Sequence, residues 1–131
     1  MDEPIWVDAV IVDAVHTNQL HEHGGLQGTR DATALAAALA RPQQKYISDP
    51  GTDIAQLAAA YAFGMAMSHP YSDGNKRMAF LVAAIFLHLN GYDLERTDDD
   101  VVETMRAVAD KRMTEIELAS WIRGGLTTLP S

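Results

Sequence analysis

The feature that most constrains this chain is a polar stretch of nine residues, His69 to Arg77, that lies between two apolar segments. The apolar residues on either side recur at helical spacing, so both flanking segments are predicted to be buried helices. Ser68 to Gly74 is polar or turn-forming apart from Tyr71, and a new helix is predicted to open near Asn75. The sequence therefore predicts a polar loop between two core helices.

The residue types in this loop suit the binding of a phosphate. The first backbone N–H groups of a helix have no partner within the helix, and here they would belong to residues 74–77. Such a terminus binds anions, and the Lys76 ammonium and the Arg77 guanidinium would add positive charge to it. The carboxylate of Asp73 beside a phosphate site indicates Mg²⁺, which takes one or two carboxylates together with phosphate oxygens and water.

A structural interpretation of the same residues stays open on composition alone. His69 could cap the C-terminus of the preceding helix, where an imidazolium is favoured by the helix dipole. Asp73-Gly74 would then be a turn, and the residues from Asn75 onwards the exposed start of the next helix. That interpretation leaves the density of polar groups between two apolar helices unexplained.

Residues 69–77, His-Pro-Tyr-Ser-Asp-Gly-Asn-Lys-Arg, resemble the signature of the Fic/Doc superfamily, with Tyr71 at a position where Phe is usual. The upstream pattern Gly-Gly-Leu-x-Gly-x-x-Asp of residues 24–31 and the downstream pattern Phe-Leu-x-x-Asn-Gly of residues 86–91 resemble the segments around that signature. The Asn-Lys-Arg ending resembles the Doc (death-on-curing) branch, since Fic adenylyltransferases usually have Gly where this chain has Lys76. The resemblance covers roughly the whole chain in the expected order.

This resemblance implies a toxin of a type II toxin–antitoxin system that transfers the γ-phosphate of ATP to a Ser or Thr hydroxyl of a host protein. It implies a translation elongation factor as the target class. Lys76 is the discriminating residue, because its ammonium would crowd the anion site and could place the γ-phosphate, and not the α-phosphate, beside His69. Transfer of a nucleotidyl group (AMPylation) and a non-enzymatic module that binds nucleotide or a partner are the alternatives.

The resemblance also assigns roles within the signature. His69 would be the general base that takes the proton of the acceptor hydroxyl, and Asp73 would hold Mg²⁺. Tyr71 would anchor the loop by burying its ring. The phosphates of ATP would bind Gly74, Asn75, Lys76 and Arg77. The last two would also act in catalysis by stabilising the charge that develops during transfer.

Regulation is expected to come from a second protein. Fic proteins often carry an inhibitory helix with the pattern Ser/Thr-x-x-x-Glu-Gly/Asn, and this sequence contains no such match. The family resemblance implies an antitoxin similar to Phd, whose C-terminal segment folds onto the toxin. An apolar groove near the helices would be its binding site.

Composition narrows the remaining possibilities. A length of 131 residues predicts one domain, residues 1–131. The net charge of −8 argues against direct binding of nucleic acid or an anionic membrane, whereas a local pair of cations suits a small anion such as a nucleotide. Cysteine is absent, and neither a secretory signal nor a membrane span is expected, so a cytoplasmic protein is predicted.

The hydrophobic pattern predicts an all-α fold: a compact bundle of about six helices around a buried central helix, the one that follows the signature. No strand is predicted. The predicted helices are 5–19 with apolar residues at 7, 10, 11, 14 and 15, then 31–41 capped by Asp31, 53–68 capped by Thr52 or Asp53, 75–89, one from Thr97, and 114–123 with a Thr-x-x-Glu capping box.

Several other polar clusters carry a less specific signal. His16, His21 and His23 are interpreted as solvated histidines on or after the first helix, because adjacent residues do not share a face for metal binding. Residues 98–100, three Asp, are interpreted as a charged helix start, and His88 as a packed or partly exposed histidine. Pro42 is predicted to end its helix, and residues 43–52 are predicted to form a loop. The family resemblance implies a substrate-aligning flap in this connection, and a simple connector is the alternative. For Asp31, with Arg30, a role in the outer shell of the site and a plain N-cap role stay open.

Overall fold

The computed structural model describes residues 2–25, 31–72 and 74–130. In these ranges the chain forms six helices and two short strands: α1 Ala9–His23, α2 Ala32–Ser48, α3 Ile54–Ser68, α4 Asn75–Leu89, β1 Tyr92–Leu94, α5 Asp98–Ala109, α6 Glu115–Gly125 and β2 Leu126–Thr128. The predicted all-α architecture is confirmed. None of the described helices combines the length and the hydrophobicity that a bilayer-spanning helix needs.

The centre of the bundle is α3, the helix before the signature. It packs against α2, α4, α5 and α6, and 11 of its 15 residues are buried. The prediction that α4 is the central helix is therefore wrong. α4 buries one face, which includes Met78 and Phe86, and exposes His88 and Leu89. The physical reason is the side-chain size in α3, where alanines and Gly64 let neighbouring helices approach from several sides.

Predicted helix starts are confirmed where a capping residue was visible in the sequence. The side chain of each N-cap residue accepts a hydrogen bond from a backbone N–H in the first turn. The caps are Asp31, Asp53, Thr97 and Thr114, and those at Asp53 and Thr114 are complete capping boxes with Gln56 and Glu117. That hydrogen bonding lowers the pKa of Glu117. An N-cap involves only residues of one helical turn, so the sequence predicts it independently of the tertiary fold.

The first helix was predicted with the wrong boundaries and the wrong buried face. α1 begins after Asp8, whose side chain accepts from the N–H of Ile11, and it continues to His23. Its buried residues are Val12, His16 and Leu20, which lie on one face at intervals of four. Val10, from the predicted apolar stripe, is 78% exposed.

Pro42 does not end its helix. It lies inside α2 with its ring buried, and α2 continues to Ser48, so the predicted loop shortens to residues 49–53. A proline in a helix interior costs about 3 kcal/mol. Packing of α2 on α3 and the ion pairs of Arg41 and Lys45 with Glu115 of α6 offset that cost. Residues 43–48 are therefore helical and do not form the predicted flap.

The two strands were not predicted. β1 and β2 pair antiparallel, with Leu94 opposite Leu126, and so join the segment after α4 to the segment after α6. Each strand has three residues, which is too short to show an alternating pattern in the sequence. Gly125 is needed beside this ribbon, because a Cβ on it would lie 2.8 Å from the carbonyl oxygen of Glu95.

Candidate active site

The signature forms the connection between α3 and α4. His69 ends α3 as its C-cap in the left-handed conformation, with φ 46° and ψ 56°, and its side chain is exposed. Pro70 is buried, and its carbonyl oxygen accepts a hydrogen bond of 3.0 Å from the N–H of Asp31 at the start of α2. The loop therefore presents His69 to solvent from a backbone that is tied to a third helix. Asp31 acts as the N-cap of α2, as one of the two predicted interpretations requires.

Tyr71 anchors the loop in the core, as predicted. Its side chain is 1% exposed, and its hydroxyl donates a hydrogen bond of 2.8 Å to the carboxylate of Asp13 on α1. Burial, together with the hydrogen bond and charge of Asp13, raises the pKa of Tyr71, so the phenol stays protonated and remains a donor. The imidazole of His16 stacks on the same ring, with centroids 3.7 Å apart and an angle of 12° between the planes.

Asn75 closes the loop from the α4 side. Its Oδ1 accepts from the backbone N–H of Tyr71 at 3.0 Å, and its Nδ2 donates to the carbonyl oxygen of Tyr71 at 2.9 Å. Both polar ends of this side chain are therefore used inside the loop. A phosphate would be bound by the backbone N–H of Asn75 or by the second hydrogen of its Nδ2.

The predicted anion site lies at the start of α4, where the N-cap is a glycine. Gly74 is the N-cap with φ 77° and ψ 18°, a left-handed conformation that favours glycine, and it contributes no side-chain cap. Lys76 and Arg77 follow in the first turn and are exposed. Asp73, the predicted Mg²⁺ ligand, lies outside the described residues, as do Leu26 to Arg30.

Lys76 and Arg77 also line a groove of about 680 Å³. Its floor is apolar and is formed by α4, β1 and α5. The other described residues that line it are Gln19, His23, Phe80, Leu81, Leu94, Arg96, Asp98, Val101, Val102, Met105 and Arg106. His69 is not among them. The first turn of α4 therefore has the groove on one side, and His69 belongs to the loop at the other end of the signature.

Two residues that support the signature are not predicted from the sequence. His16 was predicted to be solvated, but it is 3% exposed and stacks on Tyr71. Asp13 was not singled out. One signal was available for His16, because residues 12, 16 and 20 share a helix face and two of them are aliphatic.

Of the other polar clusters, those of α1 and α5 each place one residue, His23 and Asp98, in the groove beside Lys76 and Arg77. His21 and His23 are exposed in the last turn of α1, and residues 98–100 form the first turn of α5. His88 lies 2.9 Å from Asp93, and this hydrogen bond lowers the pKa of that carboxyl. Within the described ranges, no three His, Asp or Glu side chains converge to hold a metal ion.

Comparison with known proteins identifies the family. The sequence profile of the Fic/DOC family matches residues 6–87, which include α1 to α3, the signature loop and most of α4. This chain belongs to the Fic/DOC family. The chain is also similar to individual members of the family. It is 35% identical over 111 residues to Toxin Doc of Mycolicibacterium smegmatis (strain ATCC 700084 / mc(2)155), an alignment that covers 79% of this chain and 85% of the relative.

A second Fic/DOC relative is Protein kinase doc of Escherichia phage P1. It is 33% identical over 78 residues, covering 60% of this chain and 62% of the relative. The two relatives agree with the Doc branch that the Asn-Lys-Arg ending of the signature predicts. The family profile also covers Asp13 and His16 of this Fic/DOC chain.

Proposed function

We propose that this protein is a Doc-like toxin that acts in the cytoplasm and transfers the γ-phosphate of ATP to a Ser or Thr hydroxyl of a host protein. One observation carries the proposal: a single loop exposes an imidazole at the end of α3 and two cations at the start of α4. The phage P1 relative is named as a protein kinase, which supports phosphoryl transfer as the reaction.

In this reaction the oxygen of the acceptor hydroxyl attacks the γ-phosphorus, and the bond to the β–γ bridging oxygen breaks to release ADP. His69 takes the proton of the acceptor hydroxyl, a role that suits an exposed imidazole. The backbone N–H groups at Gly74 and Asn75 and the side chains of Lys76 and Arg77 bind the phosphates and stabilise the charge that develops on them. Asp73 is the proposed Mg²⁺ ligand, and the ion would neutralise phosphate charge.

Label transfer from ATP tests the reaction. The purified protein is incubated with a host lysate, Mg²⁺ and ATP labelled at either the γ or the α position. We expect label on protein only from the γ position, and loss of labelling in His69→Ala. His21→Ala, which removes an exposed histidine at the end of α1, is the matched control and should keep full activity. Label from the α position would establish AMPylation instead, and labelling by neither would favour the non-enzymatic module.

A translation elongation factor is the proposed acceptor. Peptide mapping of the labelled band should identify one phosphorylated Ser or Thr on that factor, and translation in a cell-free extract should stop when ATP is supplied. Labelling of an unrelated protein, with translation unaffected, would reject this substrate while leaving the proposed chemistry intact.

We further propose that the groove beside Lys76 binds the C-terminal segment of a Phd-like antitoxin. Its apolar floor suits the apolar face of a helix, and the half-exposed Val102, 55% accessible, offers a contact. Basic side chains outnumber acidic ones among the described residues that line it, in a chain of net charge −8. The partner segment is therefore expected to be acidic as well as amphipathic.

Co-expression tests the antitoxin site. A neighbouring small antitoxin should relieve growth arrest by the wild-type protein, and Val102→Asp should make the arrest resistant to it. Ile116→Asp, a change at an 80% exposed position outside the groove, is the control and should leave the relief intact. Equal relief in both variants would reject the groove as the binding site.

A further inference from the structure

Two side chains of α1 hold the aromatic ring of the signature from different directions. Asp13 and His16 are three positions apart, so they lie on neighbouring parts of one helix face. The Asp13 carboxylate accepts the hydroxyl hydrogen bond of Tyr71 at the edge of the ring, and the His16 imidazole covers a face of the same ring. We call these two residues the α1 clamp.

The α1 clamp also reaches the turn that opens α4. A Cβ on Gly74 would lie 3.9 Å from Nε2 of His16, so the imidazole packs directly beside that glycine. The backbone of Tyr71 is held in turn by Asn75 from inside α4. The ring of Tyr71 is thus held by α1, and its backbone is held by α4. Gly74, where the predicted phosphate site begins, packs against His16 of the same clamp.

We propose that Asp13 and His16 are positioning residues, which hold the signature loop in the conformation that directs the first turn of α4 towards a nucleotide phosphate. The catalytic meaning of this inference rests on the function proposed above. Neither residue is proposed to touch the substrate; both act through Tyr71 and Gly74.

The polar chemistry of the α1 clamp favours positioning over simple core filling. An apolar side chain at position 16 or 13 could bury the ring of Tyr71 equally well. The orientation and position of the ring would then be fixed only by van der Waals packing. A hydrogen bond to the hydroxyl is directional and fixes the ring at one orientation. Asp13 is itself exposed, so its bond to the buried Tyr71 links the surface of α1 to the core under the loop.

Variants of the two contacts test the proposal. Tyr71→Phe removes the hydroxyl but keeps the ring, Asp13→Ala removes the acceptor, and Asp13→Asn keeps a carbonyl oxygen that can accept. We expect the first two to raise KM for ATP about tenfold with a smaller change in kcat, because displacement of a positioning group by about 1 Å can cost up to about 100-fold. Asp13→Asn should restore KM to near the wild-type value. His16→Phe, which keeps a flat ring, should be affected less than His16→Leu.

Asp8→Ala is the matched control for a purely structural effect. Asp8 caps the same helix by accepting from the N–H of Ile11, and it makes no hydrogen bond to Tyr71 or to the described part of the loop, so its loss should lower the melting temperature without changing KM. Unchanged KM in both Tyr71→Phe and Asp13→Ala, with a melting temperature lowered as in Asp8→Ala, would overturn the proposal. Tyr71→Phe is nearly isosteric, so the test remains decisive if a His16 variant does not fold.

Hydrogen exchange separates failure of this inference from failure of the proposed function. The amide of Tyr71 bonds to Asn75, and the amide of Met78 bonds to the carbonyl oxygen of Gly74, so both report on the loop without any activity. We expect both amides to exchange several-fold faster in Asp13→Ala than in Asp8→Ala, relative to the Val82 amide within α4. Equal exchange in the two variants would reject the α1 clamp, whereas absence of label transfer by the wild-type protein would reject only the function.

Discussion

The side chain of Asn75 bonds both backbone polar groups of Tyr71, with hydrogen bonds of 3.0 and 2.9 Å. This pair joins Tyr71 to the first residue of α4, four positions later, and so closes the signature loop on itself. It gives the asparagine of the signature a structural task that can be separated from phosphate binding.

Asn75→Ala is expected to lower the free energy of unfolding by about 1–3 kcal/mol, because two backbone groups lose their partners at a partly buried site. Urea unfolding at neutral pH measures the change. Asn18→Ala, at an exposed position of α1, is the control and should change stability by less than about 0.5 kcal/mol. Equal stability of the two variants would show that these hydrogen bonds contribute nothing net.

Gly74→Ala should separate backbone strain from loss of anion binding. The residue has φ 77°, and a side chain in that region costs about 1–2 kcal/mol although the nearest atoms would be 3.8 Å or more from the new Cβ. Gly91→Ala has a φ of 89° with nothing within 4 Å of its Cβ, so the loss of stability should be similar. Only Gly74→Ala should weaken the protection of the protein by ATP in thermal unfolding; equal weakening by both would place the phosphates elsewhere.

Stability is expected to fall as the pH rises above 10, because two tyrosines are more weakly acidic in the folded protein. Burial raises the pKa of Tyr61 to about 12, and a backbone hydrogen bond from Val7 partly opposes this; the pKa of Tyr71 is also raised, by burial and by Asp13. Between the unfolded value of about 10 and the folded values, the unfolded chain holds fewer protons than the native one. The free energy of unfolding therefore falls by about 1.4 kcal/mol per pH unit for each group.

Urea unfolding between pH 9 and 12 measures this slope. Tyr61→Phe and Tyr71→Phe should each reduce the slope by the contribution of one tyrosine. The stability that each change costs at pH 8 is measured first and subtracted. A slope unchanged in both variants would mean that neither tyrosine has a raised pKa in the folded protein.

Gly125→Ala should be among the most destabilising single changes near the strands. The added Cβ would lie 2.8 Å from the backbone oxygen of Glu95, and the backbone of Glu95 cannot move aside without straining the hydrogen bond that its N–H donates to the carbonyl oxygen of Gly125. We expect a loss of about 1–3 kcal/mol. At Gly124 the close atom is Nη2 of Arg96, the far end of a side chain, so Gly124→Ala should cost less. The reverse order in urea unfolding would contradict this account.

The sequence predicted the features of this protein that depend on nearby residues. Capping at Asp31, Asp53, Thr97 and Thr114 was visible because a cap involves a side chain and a backbone only three positions away. The signature was visible for the same reason: its polar residues are consecutive, and they resemble those of a family to which the chain proves to belong.

The tertiary structure alone decided which residues support that signature. Val12, His16 and Leu20 are buried because α1 turns that face towards the core, a choice that the exposed Val10 and Ile11 obscured. α2 passes through Pro42 because contacts with other helices outweigh a local preference, and the strands pair residues more than 30 positions apart. Such contacts depend on packing between distant segments, which local propensity does not encode and which the hydrophobic spacing indicated only through residues 12, 16 and 20.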